Sequence, residues 1–378
     1  MGARLMAAAK HRAIDHLRRS TRFAQRHEEL GRALVRELEE AGRATDDAAA
    51  DPVGDDLLRL IFIACHPVLG KDARVAMTLR LLGGLTTEEI ARAFLVSKAT
   101  IAQRIVRAKR TLAGARVPFE VPDGAELVAR LEAVLEVIYL VFNEGYSASA
   151  GDNWMRPELC ADALRLGRIL AELVPREPEV HGLAALMELQ ASRLRARAGP
   201  SGAPVLLLDQ DRSRLDRVLV RRGLEALARA ERLGQTLGPY ALQAAIAACH
   251  ARANTAEETD WPRIAALYDA LAERMPSPIV ERNRAVAVSM AFGAAAGLEC
   301  VDQLVDEPLL KTYHLLPSVR GGLLQRLGRV AEARVEFERA AGMAQNLRDH
   351  ELLRERAAAC RESAAPFSTS RRATERSC

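Results

Sequence analysis

Apolar residues recur at helical spacing along most of the chain. This period predicts α-helices, because residues three or four positions apart share one face of a helix. The composition points the same way: 49% of residues are hydrophobic but only 4% are aromatic, which disfavours β-sandwiches. We predict an all-α fold in which a helix-turn-helix module is followed by an irregular tetratricopeptide-like helical-repeat domain.

Two apolar helices are predicted first, and a shorter pair follows them. The stretch "DLLRLIFIACHP" should end at Pro67, and "KDARVAMTLRLLGG" should end at its glycine pair, since proline and glycine stop helices. The next pair comprises a helix over Glu88–Phe94 and a second helix from Ser97 to about Leu112. Leu95 and Val96 form the turn between them.

Short polar residues stand where each helix of this hairpin would begin. Thr86 or Thr87 can cap the first helix, and Glu88 or Glu89 suits its positive end. Ser97 is the natural cap of the second helix. The side chains predicted to pack inward are Ile90, Ala91, Phe94, Ile101, Ile105 and Leu112.

Charge becomes strongly one-sided after the turn. Between Ser97 and Val117 there are six Lys or Arg residues and no Asp or Glu, whereas the formal net charge of the whole chain is only +4. Such a helix suits DNA phosphates, and short polar residues at its start suit base edges. A solvated basic face is the alternative, but the capping and the small Ala91 at the helix crossing favour DNA binding. The side chains predicted to face outward are Ser97, Lys98, Ala99, Thr100, Gln103, Arg104, Arg107, Lys109 and Arg110.

The region after "ARVPFEVPDG" is predicted to be helical almost to the end, with signs of repetition. In "WPRIAALYDAL" the residues Trp261, Ile264, Ala265 and Tyr268 match the spacing of the first helix of a tetratricopeptide unit. A second helix of such a unit is matched by Gly328, Ala333, Phe337 and Ala340. The period is imperfect, so an irregular repeat domain is expected rather than a regular solenoid.

Several stretches together resemble one protein family. "LTTEEIARAFLVSKATIAQRIVRAKRTL" resembles the promoter −35-reading helix-turn-helix of extracytoplasmic-function sigma factors. "VIYLVFNEGYSAS", "LLLDQDRSRLDR", "GPYALQAAIAACHA" and "SPIVERNRAVAVS" resemble the subgroup with a large C-terminal tetratricopeptide-like extension. The resemblance implies that Ser97, Lys98, Thr100, Gln103, Arg104, Arg107 and Arg110 contact −35 DNA.

The start of the chain resembles the −10-reading helix of the same family. "LMAAAKHRAIDHLRR" is predicted to form a basic amphipathic helix from about Leu5 to Arg19. The chain would then open at or just before this helix, without most of the N-terminal core-binding domain. The resemblance places Lys10, His11, Arg12, Asp15 and Arg18 near the −10 element.

The resemblance also implies partners and a division into domains. The expected partners are promoter DNA and the core RNA polymerase, through its β flap and, where the N-terminal part is present, its β′ clamp, together with the protein's own C-terminal extension. No membrane partner is expected, and the location should be cytoplasmic. The predicted segments are a remnant of sigma region 2 at 1–40, a linker at 41–55, sigma region 4 at 56–116, a helical connecting domain at 117–215, repeats at 216–365 and a disordered tail at 366–378.

Two charged or polar stretches invite a chemical interpretation. "DQDRSRLDR" holds paired carboxylates, but its alternating charge favours ion pairs and an interdomain or regulatory contact through Asp209, Gln210, Asp211 and Arg212. In "FNEGYSASAGDNW" a turn around Gly145 is expected between two helices. The six scattered cysteines form no metal-binding or disulfide pattern. No catalytic residue, metal site or cofactor is therefore predicted, and the protein is not expected to be an enzyme.

Three functional hypotheses remain open from the sequence. The first is a sigma-type initiation factor regulated or enabled by its own extension. The second is a DNA-binding transcriptional regulator whose repeat domain senses a ligand or partner. The third is a repeat scaffold whose hairpin contacts only protein.

Overall fold

The computed structural model describes residues 52–82, 85–94, 96–117, 120–122, 124–147, 154–199, 202–344 and 347–364. The predicted −10-reading helix, with Lys10, Arg12 and Arg18, lies outside these residues, as do most of the 41–55 linker and the predicted tail.

The described residues form fifteen α-helices, and no strand is found in that part of the chain; Ala198 and Pro204 form an isolated bridge. The first seven helices are α1 Pro52–Ala64, α2 Lys71–Leu81, α3 Thr87–Ala93, α4 Lys98–Gly114, α5 Gly124–Tyr146, α6 Pro157–Leu173 and α7 Pro178–Ala191. The remaining eight are α8 Arg217–Leu233, α9 Pro239–Arg252, α10 Trp261–Arg274, α11 Pro278–Phe292, α12 Ala294–Asp302, α13 Leu315–Arg326, α14 Val330–Met343 and α15 Leu347–Ala364. The predicted all-α fold, with a helix-turn-helix followed by a helical domain, is confirmed.

Helix α1 starts earlier than the sequence pattern indicated. It begins at Pro52, inside the predicted linker, because proline fits the first turn of a helix, where its missing N–H costs nothing. Its end at Ala64 agrees with the predicted stop before Pro67. None of the described helices is long and apolar enough to cross a membrane.

The chain divides into two compact units. Of the described residues, those from 52 to 194 and from 215 to 244 form unit 1, and those from 195 to 214 and from 245 to 364 form unit 2. The predicted boundary between a connecting domain and a repeat domain at 215/216 stays a prediction, as does the tetratricopeptide-like character of the repeats.

Unit 1 has one continuous hydrophobic core that joins the hairpin to the helices after it. Ile61 and Phe62 of α1, Leu112 of α4, Val137 of α5 and Leu170 of α6 all belong to the same buried cluster. Helix α2 packs on α1, α4 and α5, and α7 packs on α5, α6 and α8. The helix-turn-helix therefore shares its core with the domain that follows it.

The predicted turn between two helices does not lie at Gly145, because Gly145 is within the last turn of α5; α5 ends at Tyr146, and α6 begins at Pro157. A Cβ at this position would stand 2.7 Å from the backbone nitrogen of Cys160 and 2.9 Å from the carbonyl oxygen of Arg156. Glycine is needed here for the close approach of α6 and not for a turn. Nearby, Arg156 and Glu144 form an ion pair.

Unit 2 has its own core, in which consecutive helices pack on one another from α10 to α15. Ala333, Phe337 and Ala340 of α14 are fully buried there, as the sequence pattern predicts for one face of a packed helix. Gly321 of α13 allows this packing, since a Cβ there would stand 2.9 Å from the ring of Phe337.

Candidate DNA-binding surface

The hairpin α3–α4 begins with a capping box. The Thr86 hydroxyl oxygen accepts a hydrogen bond from the Glu89 backbone N–H at 3.1 Å, and the Glu89 carboxylate accepts one from the Thr86 backbone N–H at 2.7 Å. Each side chain thus satisfies a donor that the first helical turn leaves unpaired. Of the two threonines that the sequence offered, Thr86 is the cap.

The second helix of the hairpin is capped by Ser97, as predicted. The Ser97 hydroxyl oxygen accepts a hydrogen bond from the Thr100 backbone N–H at 3.1 Å and lies 2.8 Å from the Thr100 hydroxyl oxygen. This local arrangement fixes the direction in which α4 leaves the turn. The two hydroxyl groups therefore also have a structural role.

The inward face of the hairpin follows the predicted pattern. Ile90, Ala91, Ile101 and Leu112 are buried, and Ala108 joins them. Phe94 and Ile105 are only partly buried, and both pack against the same core. The small Ala91 and Ala108 side chains leave room for close helix packing.

The outward face of α4 presents basic and polar side chains. Lys98, Gln103, Arg107 and Arg110 are exposed, and Arg104 and Lys109 are partly exposed. Among the described residues, no acidic partner within 4.0 Å is recorded for Arg107 or Arg110. These two guanidinium groups are available to an anionic partner such as DNA phosphate.

Two side chains of this face have acidic partners that sequence reasoning missed. Arg104 Nη2 lies 2.9 Å from Asp72 Oδ2, and Lys98 Nζ lies 3.7 Å from Glu88 Oε2. Asp72 stands in the first turn of α2, where a negative charge is favoured by the helix dipole. The basic run alone could not reveal the Arg104–Asp72 pair. Asp72 lies 32 positions before Arg104, and only the fold brings the two side chains together.

An open cleft of about 380 Å³ lies beside this ion pair. One wall is formed by the start of α2, from Gly70 to Ala73, and the other by the middle of α4, with Arg104 and Arg107. Val68, 43% exposed, stands at its edge. The cleft thus places the start of α2 next to the basic face of α4.

Ion pairs and a hydrogen bond tie α2 to the helices after the hairpin. Glu136 of α5 lies 2.9 Å from Lys71 Nζ and 3.6 Å from Arg74 Nη1. Arg165 of α6 donates a hydrogen bond of 3.0 Å to the carbonyl oxygen of Leu82, at the end of α2. These contacts, together with the shared core, fix α2 relative to the following domain.

The residues predicted for an interdomain or regulatory contact lie in unit 2, in the segment between α7 and α8. Asp209 and Asp211 are exposed, and Asp211 accepts hydrogen bonds from the backbone and hydroxyl of Ser213. These bonds lower the pKa of the Asp211 carboxyl group. Gln210 donates a hydrogen bond to the carbonyl oxygen of Val205.

Arg212 is buried and binds the end of α9. Its guanidinium group donates to the carbonyl oxygens of His250 and Ala253, at 2.7 Å and 3.0 Å, and to the Thr259 hydroxyl at 2.8 Å. A positive charge at the end of a helix complements the helix dipole. The sequence indicated a special arginine here but not its partners, since they lie about forty positions away.

No disulfide joins the cysteines of the described residues, and most of these cysteines are buried. Burial raises the pKa of the Cys65 thiol to about 11, and its sulfur lies 3.3 Å from the Thr78 hydroxyl oxygen. In the described part of the chain, no group of three or more His, Cys, Asp or Glu side chains is placed to hold a metal ion.

Comparison with protein families identifies the class to which this geometry belongs. Residues 59–112, which span the last six residues of α1, all of α2 and α3, and α4 as far as Leu112, match the family described as "Sigma-70, region 4". Residues 130–231 match a family of unknown function, DUF6596. The two matches support a sigma-70-family factor with a DNA-binding role in transcription, for which promoter DNA and RNA polymerase are the partners.

A relative in Rhizobium meliloti (strain 1021), "Uncharacterized protein R00370", is 45% identical over 351 residues, which is 93% of this chain and 82% of the relative. The chain belongs to the same family as this protein.

Among solved structures, "Human IFIT1 dimer with PPP-AAAA" matches 84% of this chain and 69% of its own, with 15% identity and a TM-score of 0.37. At that score the likeness bears on neither fold nor function.

Proposed function

We propose that this protein is an RNA polymerase sigma factor of the extracytoplasmic-function type, which directs transcription initiation in the cytoplasm. The observation that supports this most strongly is the exposed basic face of α4, which begins at the capped turn of a hairpin matched by region 4. A recognition helix enters the major groove with its first turns, so short polar groups at its start meet bases while later arginines meet phosphates.

The proposed roles of the α4 side chains follow their positions. Gln103 is exposed near the start of the helix and can bind a base edge, and Arg107 and Arg110 are one and two turns further on, where phosphates are expected. Arg104 can bind phosphate only by exchanging its contact with Asp72. Ser97, Lys98 and Thr100 complete the proposed −35-reading set.

The rest of the proposal concerns the parts of the chain on either side of the hairpin. Lys10, Arg12 and Arg18 are proposed to contact the −10 element, and region 4 the β flap of the polymerase. The helical domain after the hairpin is proposed to be a tetratricopeptide-like extension that regulates or enables activity, with Asp209, Gln210, Asp211 and Arg212 at a regulatory contact. The shared core of unit 1 supports a direct influence of this extension on the hairpin.

Three measurements test the proposal in order. The full chain is titrated with duplex promoter DNA in an electrophoretic mobility shift assay at several salt concentrations, where affinity should fall steeply with salt. A pull-down then tests binding to core RNA polymerase, and run-off transcription tests initiation. Absence of DNA binding at low salt would refute both DNA-based hypotheses. DNA binding without polymerase binding or transcripts, when the upstream region is included, would favour the transcriptional regulator instead.

A further inference from the structure

A second basic surface lies on α8, outside the region-4 match. Five arginines of this helix are exposed, and with 3.6 residues per turn they fall within a sector of about 140° on its outward side. Glu225 is the acidic residue in the same sector. We call this surface the α8 arginine stripe; it consists of Arg217, Arg221, Arg222, Arg229 and Arg232.

The opposite face of α8 is firmly packed, so the stripe is held on a rigid support. Val220, Gly223 and Leu227 are buried on that face. A Cβ at Gly223 would stand 2.6 Å from Leu189 of α7, which shows how closely the two helices approach. At the start of α8, the Asp216 carboxylate accepts hydrogen bonds from the N–H groups of Val218 and Leu219.

The charges of the stripe are barely neutralised by the protein itself. The ion pair recorded within it joins Arg221 to Glu225 at 3.8 Å, and both side chains are about 70% exposed, where such pairs contribute little. Arg217 stands at the first position of the helix, and the first turn contains no acidic residue. A positive charge there opposes the helix dipole. The Asp216 cap stabilises this helix start, whereas Arg217 does not contribute to it, which points to a role for Arg217 outside folding.

The stripe belongs to the same compact unit as the hairpin. Helix α8 packs on α7, α7 on α5, α5 on α2 and α2 on α4. Packed helices are about 8–10 Å apart, so four such steps place the axis of α8 within about 40 Å of that of α4. One helical turn of DNA is about 34–36 Å long, so a duplex of two turns is long enough to span this distance.

We propose that the α8 arginine stripe binds the phosphate backbone of duplex DNA and adds affinity that does not depend on sequence. The inference rests on the proposed function, because α4 is the element that brings this unit to DNA. Guanidinium groups bind phosphate in a two-pronged geometry that lysine cannot match. Val218 is the large apolar side chain within the sector, whereas a protein interface would need an apolar centre; this favours DNA over an acidic protein.

The test compares three variants with the wild-type full chain on duplex DNA across a salt series. The stripe variant neutralises three arginines, and the control variant removes the same charge from exposed arginines of unit 2. The third variant removes two arginines of α4. The three are Arg217→Gln/Arg221→Gln/Arg222→Gln, Arg263→Gln/Arg274→Gln/Arg354→Gln and Arg107→Ala/Arg110→Ala. Thermal unfolding of each checks that the fold is retained.

The stripe variant should bind DNA at least tenfold more weakly at about 0.1 M salt, with a salt slope shallower by about 2–3, because each lost phosphate contact removes roughly 0.9. Its preference for promoter over unrelated DNA should stay the same, since phosphate contacts do not read sequence. The control variant should match the wild type.

The remaining outcomes separate this inference from the proposed function. An unchanged stripe variant beside a weakened α4 variant would overturn the inference and leave the proposed function standing. Weakening of the stripe variant alone would support the inference and refute the proposed role of α4. If the stripe variant binds DNA as the wild type does but no longer binds core polymerase in the pull-down, the stripe meets an acidic protein surface and the inference is wrong. A wild type that binds no DNA would overturn both proposals.

Discussion

Arginines on α4 of unit 1 and on α13 to α15 of unit 2 are similarly frequent but are arranged differently. In unit 2, Arg320 bridges Asp302 and Glu336, both at 2.8 Å, Arg329 pairs with Glu332, and Arg361 pairs with Glu338. On α4, Arg107 and Arg110 project into solvent. The local arrangement of charges therefore distinguishes a candidate DNA surface from an ordinary charged helix, whereas their number does not.

Paired and unpaired arginines contribute differently to the stability of the fold and to binding. A paired, partly buried arginine contributes to folding, because its loss leaves a carboxylate without its partner in a poorly solvated place. An exposed unpaired arginine contributes little to folding and keeps its full charge for an outside partner. Variants of the two kinds should thus separate stability from DNA affinity.

The largest effect on stability should come from Arg320→Ala. Glu336 is only 9% exposed, and without Arg320 it loses its closest positive partner. We expect the free energy of unfolding to fall by about 1–3 kcal/mol, with no change in DNA affinity. Chemical denaturation and a DNA titration measure the two quantities. Arg329→Ala is the control: its pair with Glu332 is exposed, and its removal should leave unfolding unchanged. Equal losses in both variants would contradict this account.

Arg107→Ala combined with Arg110→Ala should lower DNA affinity and leave the stability of the fold unchanged. Loss of two phosphate contacts should make the salt slope of DNA binding shallower by about 1.8 and weaken binding roughly tenfold at low salt, while unfolding stays the same. Arg274→Ala with Arg354→Ala, two exposed arginines of unit 2, should leave both measurements unchanged. If both double variants lower affinity equally, overall charge is responsible, and the distinction between the two regions fails.

Much of the hairpin could be predicted from the sequence because its signals are local. Capping at Ser97, the inward face through Ile101 and Leu112, and the basic outward face all depend on residues within a few positions of one another. The Asp72–Arg104 pair and the Arg212 contacts depend on distant segments that only the fold brings together. Gly145 was misread as a turn for the same reason, since it is Cys160 that requires a glycine there.

The shared core also went unrecognised in the sequence. Proline and glycine after Val117 suggested a boundary, because such residues usually mark linkers. Yet Val137 and Val141 of α5 are fully buried in the cluster that contains Ile61 and Phe62 of α1. Periodicity reveals which face of a helix is buried, but it does not reveal which helix covers that face.

The two cap serines allow a closely matched comparison of the regions. Ser97 caps α4, and Ser277 caps α11 in unit 2, each accepting a hydrogen bond from a backbone N–H. Replacement by alanine should lower the free energy of unfolding by about 1 kcal/mol in either case. Only Ser97→Ala should also weaken DNA binding, because it loosens the start of α4 and removes a hydroxyl group of the proposed −35-reading set. Equal DNA affinity of the two variants would mean that this capped turn does not position the reading helix.

The smallest effect on DNA affinity is expected from Asp72→Asn. This change removes the carboxylate with which Arg104 pairs. Asp72 is exposed, so the ion pair should contribute less than about 1 kcal/mol to folding. Loss of its charge frees Arg104 for phosphate and removes repulsion between a carboxylate and DNA. We expect DNA affinity to rise roughly twofold to fivefold at low salt, with a salt slope steeper by up to about 0.9. Asp349→Asn, a similar change in unit 2, serves as the charge control. The contrary outcome is that Arg104→Ala weakens DNA binding while Asp72→Asn leaves it unchanged. That result would mean that Arg104 binds DNA without first leaving Asp72. An ion pair alone would then not decide which arginines can bind phosphate.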